Sequence, residues 1–413
     1  MSYIIDKLGL LKKSEVKLSG ASTKDKNEAL LKVAEAIEDN RGEILEKNKL
    51  DIQNARIVKM SEALIDRLLL DDGRINGIIE GIKTVIKLPD PVWKSDKVWT
   101  IENGLTISKM TVPLGVMGIV YESRPNVTVD AFSLALKSGN CILLRGSSSA
   151  INSNLALVKA IKEGLNNSNI SSDVIQFIED TDRKYVLEML KAKDYIDLVI
   201  PRGGKNLIDF VLDNASVPTL QTGEGNCHVF VDESADLDKA LLIVENAKTH
   251  RVGVCNACET LLVHEKIAEK FLPVLYEKLK DKVELRGCHS TLSILTIVRA
   301  SELDWYEEYL SHVLAIKVVN GVDEAISHIN KYGTKHSEAI VTENYTNANK
   351  FLRQVDASTV YVNASTRFTD GGEFGFGAEM GISTQKIHAR GPVGLEQLVT
   401  NKYVVLGEGQ IRK

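Results

Sequence analysis

Cysteine is scarce in this sequence, and so are uninterrupted apolar runs and any excess of positive charge. Five cysteines, Cys141, Cys227, Cys255, Cys258 and Cys288, are spread unevenly over 413 residues. They are too few for a disulfide framework, so reduced thiols are expected. No segment reaches the roughly 18 consecutive apolar residues of a membrane span. The opening MSYIIDKLGLLKKSEVKLSG lacks a signal-peptide core with a cleavage site, so a cytoplasmic location is the expectation. With 51 Lys and Arg against 56 Asp and Glu, the formal net charge is -5. Such a surface offers no electrostatic footprint for nucleic acid and no basic run for an anionic membrane, which leaves a small-molecule partner. Glycine-rich phosphate loops are missing too: there is neither a G-x-x-x-x-G-K-[ST] string nor a G-x-G-x-x-G between strand and helix.

What is present reads as a folded α/β chain. Its 44% hydrophobic and 26% charged residues are those of an ordinary globular protein, and its length accommodates two or three domains. Residues 24–50 carry helical periodicity, with a stop at Asn40, Arg41 and Gly42. From Gly115, the runs GVMGIVY, CILLR, DVIQFI, YIDLVI and PTLQ alternate with helical patterns near 127–137, 150–164, 182–192 and 203–213. Buried parallel strands joined by helices give that rhythm, so a doubly wound sheet is predicted. A second series starts at His228, where HVFVD, ETLLVH, LAIKVV, EAIVT and STVYVN interleave with helices as a separate α/β domain. Ahead of both, VWTIENGLTISKMTVP (98–113) alternates polar and apolar residues around Asn103-Gly104, the signal of a two-residue hairpin. A hairpin with nothing local to cover it points to an oligomer contact or to packing on its own domain.

Several segments carry residues suited to chemistry. LLRGSSSA (143–150) and IPRGGKN (200–206) each lead from a strand's carboxyl end into a helix, where open parallel sheets bind nucleotides. Arg145 with Ser147, Ser148 and Ser149 suits a 2′-phosphate, and the acidic residue of an NAD-type ribose contact is missing there. Gly203 and Gly204 suit the close approach of a cofactor, although either turn alone is equally an ordinary connection. In YESRPNVTVD (121–130), Asn126 offers an amide donor or, read alone, a helix cap. QTGEGNCHVFVD (221–232) joins the two series as a linker or as a cleft floor. The glycines of GGEFGFGAEMG (371–381) have no helix signal behind them and fit an active-site loop better than a phosphate cradle.

HRVGVCNACETLLVH (250–264) sets Cys255 and Cys258 three apart. A structural zinc needs four Cys or His ligands. The nearest candidates, His250, His264 and Cys288-His289, supply no second C-x-x-C or H-x-x-x-H, and His264 suits a solvated or capping role, so no metal is expected. A thioredoxin-like pair opens a helix early in a small domain, whereas this one lies past the middle of the chain. A nucleophile, or two small buried hydrophobes, remain.

In the order YESRPNVTVD, GNCILLRGSSSA, IPRGGKNLI, TGEGNCHVFVDESADLDKA, VCNACETLLVH, HSEAIVTE, VNASTRFTDGGEFGFGAEMGIS and HARGPVGLEQL, residues from about 20 to 405 resemble the gamma-glutamyl phosphate reductases of the aldehyde dehydrogenase superfamily. The resemblance implies an aldehyde-dehydrogenase-like fold of two doubly wound α/β domains plus a small oligomerisation hairpin. Residues 1–227 would be the cofactor-binding domain, with the hairpin at about 97–113, and 228–390 the catalytic domain. Residues 391–413 would return to the cofactor and oligomerisation region. Also implied are a homo-oligomer and functional coupling to glutamate 5-kinase.

The activity implied is NADPH-dependent reduction of L-glutamate 5-phosphate to L-glutamate 5-semialdehyde with release of phosphate, on the way to proline. In that family the cysteine before Asn-Ala is the nucleophile, which makes Cys255 the thiol and Cys258 a bystander. A thiolate displacing phosphate leaves a thioacyl enzyme, whose oxyanion the Asn126 amide and the Cys255 main-chain N–H are candidates to hold. Arg251, Arg367 and Arg390 are candidate cations for the substrate's carboxylate and phosphate. Aldehyde-oxidising relatives activate water with a glutamate in an E-x-G-G string, and the matching position here is Gln221. Glutamine cannot be that base, which fits a reductase, and Glu224 is the nearby carboxylate. The competing readings are an aldehyde-oxidising dehydrogenase and a non-catalytic α/β protein with a structural metal at Cys255 and Cys258.

Overall fold

The computed structural model describes residues 3–412. The chain forms two compact units. One takes the residues up to Gln221, 375–381 and those from Val393 on, and the other takes Thr222–Phe374 and Ile382–Pro392. The division thus falls ahead of the 227/228 boundary expected from the sequence, and the glycine-rich stretch crosses into the first unit at Gly375.

Five helices lead the first unit: Tyr3–Leu18, Thr23–Asp39, Arg41–Ile57, Glu62–Leu68 and Asp72–Lys87. Ser22 and Asp71 begin the second and fifth by accepting the N–H groups of Asp25 and Arg74. At the expected stop, the Asn40 amide donates back to Ala36 O at 2.9 Å, and a new helix begins one residue later at Arg41. A parallel sheet follows in the order Ile175–Phe177, Cys141–Arg145, Val116–Tyr121 and Leu198–Arg202. Nearly all of its residues are buried, which is why its strands read as continuous Val, Ile and Leu runs rather than alternations. DVIQFI shrinks to three strand residues because Ser171 caps a 3-10 turn over Ser172–Val174, and PTLQ contributes one bridge, Thr219 to Val199. Winding outward from the inner strand Val116–Tyr121 leaves a topological switch point between it and Leu198–Arg202.

Strands Ser95–Thr100 and Thr106–Pro113 pair antiparallel as the expected hairpin, but its loop has three residues, not two. The Ile101 N–H bonds Leu105 O, and the Gly104 N–H bonds Ile101 O. Gly104 takes φ 86°, the left-handed position that closes a type I turn with a bulge, where glycine has no Cβ to clash. Val399–Leu406 then pairs along Thr106–Pro113 and completes a three-stranded sheet.

The second unit is built on seven parallel strands in the order Val298–Arg299, Glu284–Gly287, Val313–Val319, Cys258–His264, Cys227–Val231, Ser337–Val341 and Thr359–Val362. Alternate residues face opposite sides. Val229, Val231, Leu261 and Val263 pack with Phe271 and Leu275 of helix Glu265–Leu279. Phe230, Leu262 and Ile340 pack with Ile326 of helix Val322–Tyr332 and Phe351 of helix Tyr345–Gln354. Two short strands, Glu284–Gly287 and Val298–Arg299, escape the sequence pattern because ELRG and VR carry too few apolar residues to show a period.

Candidate active site

Helix Leu237–Thr249 and strand Cys258–His264 are joined by the loop that carries Arg251 and Cys255. Inside the core, just before and just after that loop, Lys248 and Glu259 form an ion pair fully closed to solvent. Burial pushes the Glu259 carboxyl up to about 7 against the pull of Lys248. Beneath the loop runs segment 222–226. Gly225 presses so closely that a Cβ there would fall on the Cys255 carbonyl, so any side chain would displace the loop. The Gly225 N–H donates to Glu308 at 2.8 Å, and the Cys227 thiol donates to Cys255 O at 3.1 Å. The loop therefore sits at the amino edge of the second sheet, not at the carboxyl edge that the strand-end rule favours for ligands.

The two cysteines of the C-x-x-C are unlike. Cys255 is half-buried, whereas Cys258 is buried as the first residue of its strand. Burial pushes the Cys258 thiol up to about 12, and it donates to Thr260 O at 3.3 Å. The buried Cys227 thiol is likewise raised by burial and by Glu338. His264 caps the following helix by accepting the Lys266 N–H. Among the described residues, no three His, Cys, Asp or Glu side chains gather as a metal-ligand set.

Of the three candidate substrate arginines, the structure brings two toward Cys255. Arg251 shares its loop. Burial and the nearness of Arg251 hold the Arg367 guanidinium below its ordinary value, while Cys255 pulls the other way. Arg367 is placed by Asn256, whose Nδ2 donates to Arg367 O at 3.2 Å and Thr369 O at 3.0 Å. Arg390 instead donates to Asp356 at 2.8 Å, a carboxylate shared with Lys386 and Lys335. It ties segment 382–392 to the turn after helix Tyr345–Gln354 and is not a free cation.

In the first unit the expected phosphate positions hold the protein's own carboxylates. Asp51 accepts the Ser153 N–H at 2.8 Å in the first turn of helix Ile151–Asn166. Glu122 accepts the Gly204 N–H at 2.9 Å where helix Lys205–Asn214 begins. Arg145 is equally committed, since its guanidinium bonds the carbonyls of Gly146 and Thr181. What remains at the strand ends is a hydroxyl cluster: Ser147 Oγ lies 2.7 Å from Ser149 Oγ, which lies 3.5 Å from Ser123 Oγ. Ser148 begins the short 3-10 turn that follows. Such hydroxyls beside the switch point fit the polar face of a nucleotide. Asn126 is not a cap. It opens helix Asn126–Lys137 and donates from Nδ2 to Asp130, one turn on, at 2.8 Å.

Sequence reasoning overlooked Gly225, Asn256, Thr366 and the Lys248–Glu259 pair. Only Glu259 left a signal, a lone charge entering the apolar run ETLLVH.

Two parallel doubly wound sheets, one edged by serine hydroxyls and the other bearing a half-buried thiol, make an α/β architecture of the kind that dehydrogenases use. The aldehyde dehydrogenase family model matches residues 12–285 and 274–402. Gamma-glutamyl phosphate reductase of Alkaliphilus oremlandii is 64% identical over 100% of both chains. The crystal structure of gamma-glutamyl phosphate reductase from Thermotoga maritima superposes with a TM-score of 0.98 at 56% identity, covering 99% of this chain and 100% of that one. An engineered glycolyl-CoA reductase with bound NADP+, 16% identical, shares the fold with a TM-score of 0.69 over 98% of this chain and 96% of its own. The chain belongs to the aldehyde dehydrogenase family, within its gamma-glutamyl phosphate reductases. Membership implies a nicotinamide cofactor, and no helix among the described residues is long and apolar enough to cross a membrane.

Proposed function

We propose that this protein reduces L-glutamate 5-phosphate to L-glutamate 5-semialdehyde with NADPH, releasing phosphate, in proline biosynthesis. The observation that carries the mechanism is the Cys255 loop, a half-buried thiol on a tightly held turn with Arg251 and Arg367 beside it. The Cys255 thiolate attacks the acyl phosphate carbon. The C–O bond to phosphate breaks, leaving a thioacyl enzyme and free phosphate. Arg251 and Arg367 favour the thiolate and receive the anionic substrate, while Arg390 holds its segment through Asp356. The Cys255 main-chain N–H and the Asn126 amide are the donors proposed for the oxyanion, with Asp130 fixing which way that amide faces.

When bound, the nicotinamide supplies the hydride that reduces the thioacyl carbon. The thiohemiacetal then collapses to aldehyde and thiolate. We assign the cofactor to the first unit, with Ser147, Ser148 and Ser149 toward a 2′-phosphate and Gly203 and Gly204 lining its approach. Arg145 lends charge from behind while bonded to carbonyls. The Glu122 carboxylate on the Gly204 N–H has to yield if a phosphate is to use that turn. A cytoplasmic homo-oligomer, acting in step with glutamate 5-kinase, completes the reading.

Gln221 supplies the test. Without a water-activating base the thioester persists, so the reverse reaction needs phosphate as acyl acceptor. With glutamate 5-semialdehyde and NADP+, absorbance at the NADPH band should rise continuously with phosphate and stop after about one turnover without it. Gln221→Glu should restore phosphate-independent turnover, since a positioned base contributes about a hundred- to ten-thousandfold. Continuous turnover by the unaltered protein without phosphate would show that Glu224 or another group already serves as base and favour an aldehyde-oxidising enzyme.

A further inference from the structure

Asn256 follows the nucleophile in the chain, yet its side chain turns inward to the joint between two loops of the second unit. We propose that Asn256 is a positioning residue, which holds segment 363–370, and with it Arg367, against the loop that carries Cys255. This inference rests on the reading of Cys255 as the nucleophile.

The joint is made of three hydrogen bonds between Asn256 and three neighbours on one segment, two that it donates and one that it accepts. Asn256 Nδ2 donates to Arg367 O at 3.2 Å and to Thr369 O at 3.0 Å, and Thr366 Oγ1 donates to Asn256 O at 2.7 Å. Asn256, Thr366 and Thr369 are all buried, so water does not readily replace these bonds once they are lost. The far side of the segment is fastened as well. Thr369 Oγ1 accepts from Ser337 Oγ at 2.6 Å and lies 2.7 Å from Tyr361 OH. An amide suits this place because a single nitrogen offers two donors to two carbonyls. Aspartate has the same size but no donor, and would set a charge against both oxygens.

What the joint fixes is the placement of a cation beside a thiol. Around Cys255 stand Arg251 on its own loop, Arg367 on the stapled segment, the Cys227 thiol beneath and Glu308 across Gly225. A misplacement of about 1 Å at such a site is worth up to about a hundredfold in rate.

The test uses Asn256→Ala, Asn256→Asp, Thr366→Val and Thr366→Ser in the full chain. For each, kcat, the KM for NADPH and the rate of Cys255 alkylation by iodoacetamide against pH are measured per folded molecule. Asn256→Ala and Asn256→Asp should lower kcat about ten- to a hundredfold, leave the cofactor KM within about twofold, and move the alkylation profile to higher pH. Thr366→Val keeps the size but loses the hydroxyl and should shift both readouts the same way, whereas Thr366→Ser restores them. That pair decides the question even where the Asn256 variants fold poorly. Unchanged kcat and alkylation in Thr366→Val and in folded Asn256→Asp overturn the proposal. Normal turnover by Cys255→Ser overturns the underlying reading, and the proposal with it.

Discussion

Cys255 and Cys258 lie three residues apart, but one sits in a loop and the other begins a buried strand. Cys255→Ser should therefore lose roughly a thousandfold or more in kcat, because a serine hydroxyl is not ionised near neutral pH. Cys258→Ser should keep most activity, its hydroxyl inheriting the bond to Thr260 O at a cost of about 1 kcal/mol. Equal losses in steady-state assays of the two variants would remove the distinction. Asp130 invites a pH measurement: burial pushes its carboxyl up to about 6 against the pull of Asn126 and Arg202. A raised carboxyl stabilises the fold fully below its unfolded value, near 3.8, and that contribution is lost as pH rises through about 6. Asp130→Asn has no charge to bury, so its Tm advantage over the unaltered protein should grow as pH rises from about 4 to about 6 and level off above that. A Tm difference that stays flat over that range would contradict the shift. The sequence string CNA made Cys255 legible, but not Asn256, Thr366 or Gly225. Their parts depend on contacts between segments about thirty to more than a hundred residues apart, which no local period encodes.

Among the elements, the strands most visible in sequence were those buried on both faces, such as Val116–Tyr121 and Cys258–His264, whose β-branched and leucine runs mark strands covered on both sides. The short strands Glu284–Gly287 and Val298–Arg299 and the true hairpin loop were not legible, since their conformation is set by pairing partners and by the φ of Gly104. The loop bearing Cys255 depends on a pair at its roots. Lys248→Met leaves Glu259 buried and unpaired, and should cost about 3–5 kcal/mol in urea unfolding. Lys248→Met with Glu259→Leu should recover most of that. The three-stranded sheet presents Val98 and Leu406 on one face and Tyr403 and Val405 on the other, all four largely exposed to solvent. Tyr403→Asp combined with Val405→Asp should shift the proposed oligomer toward monomer in sedimentation velocity without lowering the Tm of the monomer. An unchanged sedimentation coefficient would place the contact elsewhere.

At the scale of the whole chain, cofactor preference is expected to appear as stability. A ligand at a hundred times its Kd stabilises the folded state by about 2.7 kcal/mol, and the charge-assisted contacts of a 2′-phosphate are worth about 1.5–3 kcal/mol. NADP+ should then raise Tm distinctly more than NAD+ at equal concentration, and equal shifts would deny the 2′-phosphate contact. The way the chain is threaded bears on its synthesis. Thr106–Pro113 is completed by Val399–Leu406, which leaves the ribosome roughly 290 residues later. At about 5–20 residues per second, that is a wait on the order of tens of seconds. Throughout it the nascent hairpin shows an unpaired strand edge to every neighbouring chain on the polysome, so a chain cut short by even its last fifteen or so residues should be captured by chaperones or aggregate, although every residue of its proposed chemistry is already made.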